Sequence, residues 1–266
     1  LVGDRIRTVQ RVMTCLTITG DSAAEAIAER AELIVTHHPL PFRPTNRLTA
    51  DTPEGRLLLA LIEAGVGVYS AHTAFDSAAA GINQRFAEGL GLREIAPLTL
   101  SPAIPTLGTG RVGRLSSCGT LGSLAAAAKE FLALEQGQVV GRLDAPVERG
   151  AGGCGSAGEV LAPAQQAGCQ AFVTGEARFH TALEAEARGL GLLLVGHYAS
   201  ERFGLEALAA ELGQAFPQLT IWASRRERDP LAWAWPAERL ISPRRVAGGR
   251  ISVELRARSF ASERRL

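Results

Sequence analysis

The stretch Ile34-Val35-Thr36-His37-His38-Pro39 decides how this chain is read. Three β-branched residues in succession favour a buried strand. Two ionisable rings follow at once, at the point where such a strand leaves the core. A buried strand supplies rigidity and its exit supplies exposure, which is the arrangement a site needs. Outward from there the elements alternate. Val9 to Thr19 reads as a strand, and Ser22 to Arg30 as a helix with Asp21 as N-cap. Pro53 to Ala64 reads as a helix with Thr52 as N-cap and proline at its first position. Gly67 to Ser70 is a strand, and Gly81 to Gly89 a helix closed by glycine.

The same order returns further along. Leu121 to Leu134 reads as a helix and Gln138 to Arg142 as a strand. A helix holds Pro163 to Ala167, Ala171 to Thr174 is a strand, Thr181 to Arg188 a helix and Leu190 to Val195 a strand. This rhythm predicts an α/β fold of two similar, interleaved lobes, an internal pseudo-repeat with mostly parallel sheets. The proline-rich text from Arg93 to Pro105 reads as a crossover between lobes. The expected boundaries are 1–98 for the first lobe, 105–201 for the second, 202–236 for a return to the first lobe, and 237–266 for an arginine-rich extension.

The two halves match in chemistry as well as order. The first places His37-His38 after one strand and His72, with Asp76 four residues on, after the next. The second places Gly175-Glu176 after Phe172-Val173-Thr174, and His197, with Glu201 four residues on, after the following strand. Ligands of open parallel sheets bind beyond the carboxyl ends of the strands, where all these residues fall. A histidine and a carboxylate four apart face one point when they share a helical turn. A lone histidine at a strand end is usually packed or solvated. Adjacent histidines rarely both pack, and the repeated His-x-x-x-carboxylate pattern adds to the case. Four histidines and three carboxylates exceed what one tetrahedral ion needs. They suit two ions about 3.5–4 Å apart, bridged by a carboxylate and a water. Mixed imidazole and carboxylate fits zinc, iron, manganese or cobalt and not calcium, which prefers oxygen alone.

Composition excludes several classes. The chain has 266 residues, is 46% hydrophobic and 21% charged, and carries a net charge of +1, so a packed core is expected and bulk nucleic-acid binding is not. The longest apolar run, Leu57 to Tyr69, contains Glu63 and is too short for a membrane span. Cys15, Cys118, Cys154 and Cys169 form no CxxC and read as buried small hydrophobes in a cytoplasmic, reducing compartment. The sole methionine is Met13 and the chain opens on Leu1, so the natural start is expected to lie upstream. Residues Arg239 to Leu266 hold eight arginines and two glutamates, a local net of +6, which leaves −5 for the rest. Only Phe260 interleaves aromatic character there, so the tail reads as a solvated or oligomer-contact arm, and it is the one segment suited to nucleic acid. Gly153-Cys154-Gly155-Ser156-Ala157-Gly158 imitates a dinucleotide fingerprint, with Glu176 18 residues on. Glycine is dense around it, so a cofactor is not expected, though the loop is kept as a backbone cradle for a substrate phosphate.

With these motifs in place the chain resembles the Nif-three-like (YbgI-like) proteins, a family of dinuclear-metal-centre hexamers often labelled homologues of a type 2 GTP cyclohydrolase. The resemblance rests on Thr36-His37-His38-Pro39, His72-Thr73-Ala74-Phe75-Asp76, Thr174-Gly175-Glu176 with His180, and Gly196-His197-Tyr198-Ala199-Ser200-Glu201. Gly108-Thr109-Gly110-Arg111-Val112-Gly113-Arg114 also matches, and the likeness runs from about Leu1 to Pro230. It implies metal ligands at His37, His38, Asp76, His197 and Glu201, with a site between the lobes. Glu201 would bridge, one ion taking His38 and Asp76 and the other His37 and His197. His72 and Glu176 would line the site, orienting ligands or moving protons as general acid or base. The implied cofactors are two divalent ions (zinc, iron or manganese), and the implied assembly is a toroidal homo-hexamer. The family's usual N-terminal helix would lie before Leu1, there is no room for the extra domain of longer members, and the arginine tail falls outside the likeness. The expected activity is metal-dependent hydrolysis of a nucleotide-like or phosphate-containing small molecule through a metal-bridging hydroxide. The alternative is a non-catalytic carrier, sensor or regulator of a divalent ion.

Overall fold

The structure, a computed structural model, describes residues 2–101, 104 and 107–232. The arginine-rich extension and the proline pair Pro102 and Pro105 lie outside the described residues. In chain order the elements are β1 (Arg11–Cys15), α1 (Gly20–Ala28), β2 (Leu33–Thr36), α2 (Pro53–Glu63), β3 (Gly67–Ser70), α3 (Thr73–Ser77) and α4 (Ile82–Gly89). Then come β4 (Leu92–Leu100), β5 (Gly108–Thr120), α5 (Leu121–Phe131), β6 (Gln138–Val140) and β7 (Pro146–Gly153). The chain continues through α6 (Leu161–Gln166), β8 (Ala171–Thr174), α7 (Phe179–Ala187), β9 (Gly191–Leu194), α8 (His197–Ala215) and β10 (Thr220–Ala223).

The fold is α/β, with two sheets. The first has the order β10-β1-β2-β3 and is parallel throughout. The second has the order β4-β5-β7-β8-β9-β6. It is mixed: β7, β8 and β9 run parallel, while β4-β5, β5-β7 and β6-β9 are antiparallel. The two sheets therefore differ in size and sense. What recurs in both is a parallel run whose carboxyl ends carry the histidines and acids. β10 closes the first sheet from the far end of the chain, pairing with β1 from Arg11↔Thr220 to Thr14↔Ala223.

The local signals behave as elementary chemistry requires, with instructive shifts. Thr52 caps α2 by accepting from Gly55 N, and Pro53 sits at the first position, where no N–H is needed. α1 is capped by Thr19 and not by Asp21. Thr19 and Ser22 bond reciprocally in a capping box, and Asp21 sits in the first turn, where its charge opposes the helix dipole. The stretch expected to cross between lobes is instead largely strand β4. As an edge strand it tolerates Pro97, which lacks only a ladder donor. The glycine-rich Gly150–Gly153 likewise ends strand β7, where Gly152 packs under Phe86; a Cβ there would lie 3.1 Å from that ring.

β8 is buried at every position and Phe172 is fully enclosed, as a central parallel strand covered on both faces must be. Met13, Cys15, Ile34, Leu61 and Val68 form the core of the first sheet. Each such side chain contributes roughly 1.5–3 kcal/mol through burial. Cys15, Cys154 and Cys169 are buried and unpaired, and burial pushes the Cys15 thiol up to about 12, so they act as small hydrophobes. The Cys118 side chain lies outside the described residues. No helix among the described residues is long and apolar enough to cross a membrane.

Candidate metal centre

The carboxyl ends of β2 and β3 in the first sheet, and of β8 and β9 in the second, deliver their following residues to one cluster. β2 ends at Thr36, whose buried hydroxyl bonds Leu16 O and His38 O and so fixes the turn carrying both histidines. His37 is 1% exposed. Its ring centroid lies 5.2 Å from those of both His38 and His72. His38 is 5.4 Å from the His197 ring. Asp76 stands on the short helix α3, and His197 and Glu201 on the first turn of α8.

Glu201 is the hub. One oxygen, Oε1, lies 3.9 Å from His37 Nε2, which is in turn 3.6 Å from Asp76 Oδ1. The other, Oε2, lies 3.2 Å from His38 Nε2 and 3.1 Å from His197 Nε2. Two trios, His37-His38-His72 and His38-His197-Glu201, have donor atoms within 4.8 Å of one another. His37 Nε2 thus faces Asp76 and Glu201 Oε1, while His38 and His197 face Glu201 Oε2.

Whether the residues suit cations is answered by their unmet needs. His37 Nδ1, His197 Nε2 and Glu201 Oε2 are buried yet complete no directed hydrogen bond. Such atoms are costly to leave unsatisfied. Burial depresses the His37 imidazole to about 4, so it is neutral and offers a lone pair. Burial also lowers His72, with help from His38. Burial and the Glu201 charge push Asp76 up to about 7. His197 is raised to about 9 by the Glu201 carboxylate against the pull of burial, with Glu176 adding to it. Burial would raise Glu201, but His197 and His38 hold it down at about 2. A cation among these groups would relieve the acid–acid repulsion and take the lone pairs of Glu201 and of the ring nitrogens that face it.

The outer contacts fit as well. A ligand histidine usually gives its second nitrogen to an acceptor that fixes the ring. His38 Nδ1 meets Thr17 Oγ1 at 2.7 Å, and His197 Nδ1 meets Glu176 Oε1 at 3.0 Å. The Thr17 backbone N–H and that of Leu16 donate to Glu227, which is ion-paired with Arg202 at 3.2 Å. Thr17 and Glu227 carry no motif in the sequence; only the fold brings them to His38. His72 adopts φ 36°, a left-handed conformation that a side chain pays for in strain, and strain of this kind clusters at functional sites. His180 sits exposed on α7 beside Phe179 and is not in either cluster of donor atoms.

The glycine loop after β7 is tied into the site by its own backbone. Cys154 N donates to Asn83 Oδ1, Gly155 N to Ser200 Oγ, and Ala157 N to Thr174 Oγ1. Three of its N–H groups are thus spent on the protein. Gly155 has φ +62°, and a Cβ there would run into Glu201 Oε1. The loop is the wall against which the central carboxylate is seated.

A family model described as Duf34/NIF3 (NGG1p interacting factor 3) matches residues 1–230. The chain belongs to the DUF34/NIF3 family. Among its DUF34/NIF3 relatives, a Streptomyces coelicolor protein named GTP cyclohydrolase 1 type 2 homolog is 34% identical over 258 residues, covering 94% of this chain and 89% of the relative. A Clostridium perfringens protein of the same name is 32% identical, covering 76% and 77%. The crystal structure of a Bacillus cereus protein related to NIF3 shares the fold, with TM-score 0.80 at 22% identity over 88% of this chain and 92% of that one. A Thermus thermophilus structure matches with TM-score 0.68 at 27% identity, covering 85% and 86%.

Proposed function

We propose that this chain holds two divalent ions side by side and uses them to hydrolyse a nucleotide-like or phosphate-containing small molecule. The observation that carries the reading is the division of one buried carboxylate. Glu201 turns Oε1 toward His37 and Asp76, and Oε2 toward His38 and His197. On this reading His37 and Asp76 serve one ion, His38 and His197 the other, and Glu201 both. The imidazole and carboxylate donors favour zinc, iron or manganese. A pair of such ions supplies Lewis acidity and an acidified water at neutral pH.

The chain's own residues do the rest. Thr17 and Glu176 hold the His38 and His197 rings in fixed orientations. That engagement gives Glu176 an orienting role rather than that of a free acid. His72, whose ring lies beside those of His37 and His38, would move a proton on this reading. The printed names of the relatives support including GTP among the substrates tried. By the same family likeness the protein assembles as a homo-hexamer, which light scattering on the eluted protein reads directly.

The test is metal analysis of purified protein, followed by turnover assays with zinc, manganese or iron against a panel of nucleotides and phosphate esters. Two ions per chain and turnover that vanishes on chelation are expected. Absence of metal-dependent turnover on every member refutes the hydrolase reading.

A further inference from the structure

Helix α3 carries Asp76, yet none of its residues, Thr73–Ser77, is fully buried. Five residues are too few to hold a helix by its own hydrogen bonds. Phe75 alone packs, partly buried, against the core. Something else must place Asp76 opposite His37.

Two buried polar side chains from outside the histidine and carboxylate motifs grip the carboxyl end of α3. Asn83, on α4 and 4% exposed, donates Nδ2 to Asp76 O at 3.1 Å. Its Oδ1 accepts from Cys154 N at 2.8 Å. Asn83 thus ties the Asp76 backbone to the loop whose next residue, Gly155, seats Glu201. Arg111, on β5 and 1% exposed, donates Nη2 to Ala78 O at 2.7 Å and to Ser77 O at 3.4 Å. Its Nη1 bonds Gly108 O and Gly110 O, each at 2.8 Å, and its Nε bonds Gln84 Oε1 at 3.1 Å. No carboxylate pairs with this guanidinium among the described residues. Its charge is met by carbonyl oxygens, including those at the negative end of α3. A buried arginine with no acid partner is costly unless its donors are all used, and here each nitrogen is.

We infer that Asn83 and Arg111 are positioning residues that set the Asp76 half of the metal centre relative to the Glu201 half. The inference rests on the two-ion reading above and deepens it. It makes an asymmetric prediction, because α8 carries His197 and Glu201 without touching either side chain's α3 contacts. Loosening the tie loosens one ion and not the other.

The experiment titrates cobalt(II) into the full chain and follows visible absorption. Wild-type protein should take up two equivalents, and Asp76→Asn should lose one of them. Asn83→Asp, which keeps the acceptor for Cys154 N and removes the donor to Asp76 O, should weaken that same equivalent about 10–100-fold, the range seen when groups orienting metal ligands are removed. The spectrum of the retained equivalent and the far-ultraviolet circular dichroism should be unchanged. Arg111→Lys, which cannot span Ser77, Ala78 and Gly108 together, should behave alike. Equal weakening of both equivalents, or of neither, overturns the inference while leaving two-ion binding intact. Wild-type uptake of fewer than two equivalents refutes the two-ion reading, and this inference with it.

Discussion

Removing the Glu25 carboxylate should unfasten the far end of the chain from the first sheet. Glu25 lies on α1 at 1% exposure. It accepts from Ser224 Oγ at 2.7 Å, Arg226 N at 2.9 Å, Arg225 N at 3.0 Å and Trp222 Nε1 at 3.2 Å. These donors belong to β10 and the residues after it, the segment that also brings Glu227 to Leu16 and Thr17. Bonds to a charged group contribute about 1.5–3 kcal/mol each, but the four are not additive, because water reaches part of this segment once the side chain is gone. Breaking one side of a buried charged network costs about 3–5 kcal/mol, which is the loss expected for Glu25→Ala. For a domain of this size that corresponds to roughly 6–20 °C in Tm. Calorimetry and urea unfolding at neutral pH measure it.

The pH dependence adds a sign. Burial alone would raise this carboxyl, but the hydrogen bonds from Arg225, Ser224, Arg226 and Trp222 hold it below its ordinary value. The Arg225 guanidinium faces it at 3.5 Å. A depressed folded-state pKa stabilises above the unfolded pKa, and the gain is lost as pH falls through the folded value. The gap between wild type and Glu25→Gln should therefore be full above about pH 5 and shrink at lower pH, since free glutamate titrates near 4.3. A loss under about 1 kcal/mol for Glu25→Ala, or a gap that widens on acidification, refutes the reasoning.

Other perturbations address the candidate metal centre. Glu201→Ala should lose both ions by metal analysis, and retention of one full equivalent rules out its central role. Gly155→Ala combines a left-handed φ with a Cβ driven into Glu201, so it should lose metal and lower Tm together; wild-type metal content would show that the loop is not a seat. Glu176→Ala should weaken metal binding about 10–100-fold in a chelator competition, through the freed His197 ring, with Tm of the apo-protein nearly unchanged. Thr17→Val should do the same through His38, and unaltered affinity in both variants would remove the orienting role assigned here.

Much of the site was legible because its chemistry is local. A strand followed by two histidines, and histidine–carboxylate pairs four apart, are short-range patterns that follow from strand exits and helical turns. The capping of α2 by Thr52 and Pro53 is of the same kind. Where local signals competed, the fold decided. Asp21 is as good a cap as Thr19 by type, and only the capping box with Ser22 selects between them. The prolines after Arg93 argue for a loop, yet an edge position lets β4 pair through Pro97.

The sequence by itself determined the α/β class and the strand ends at which the reactive groups gather, and its motifs named His37, His38, Asp76 and His197, which the fold brings round Glu201. Tertiary structure alone decided which oxygen of Glu201 each histidine faces, the mixed sense of the second sheet, and the contacts made by Thr17, Glu227, Asn83, Arg111 and Gly155. The physical reason is range. Thr17 meets His38 across a strand pairing, and Glu227 reaches Leu16 across 211 positions, while Asn83 bonds Cys154 across 71. Each is an ordinary polar residue until two sheets, closed by β10, put its partner within hydrogen-bonding distance.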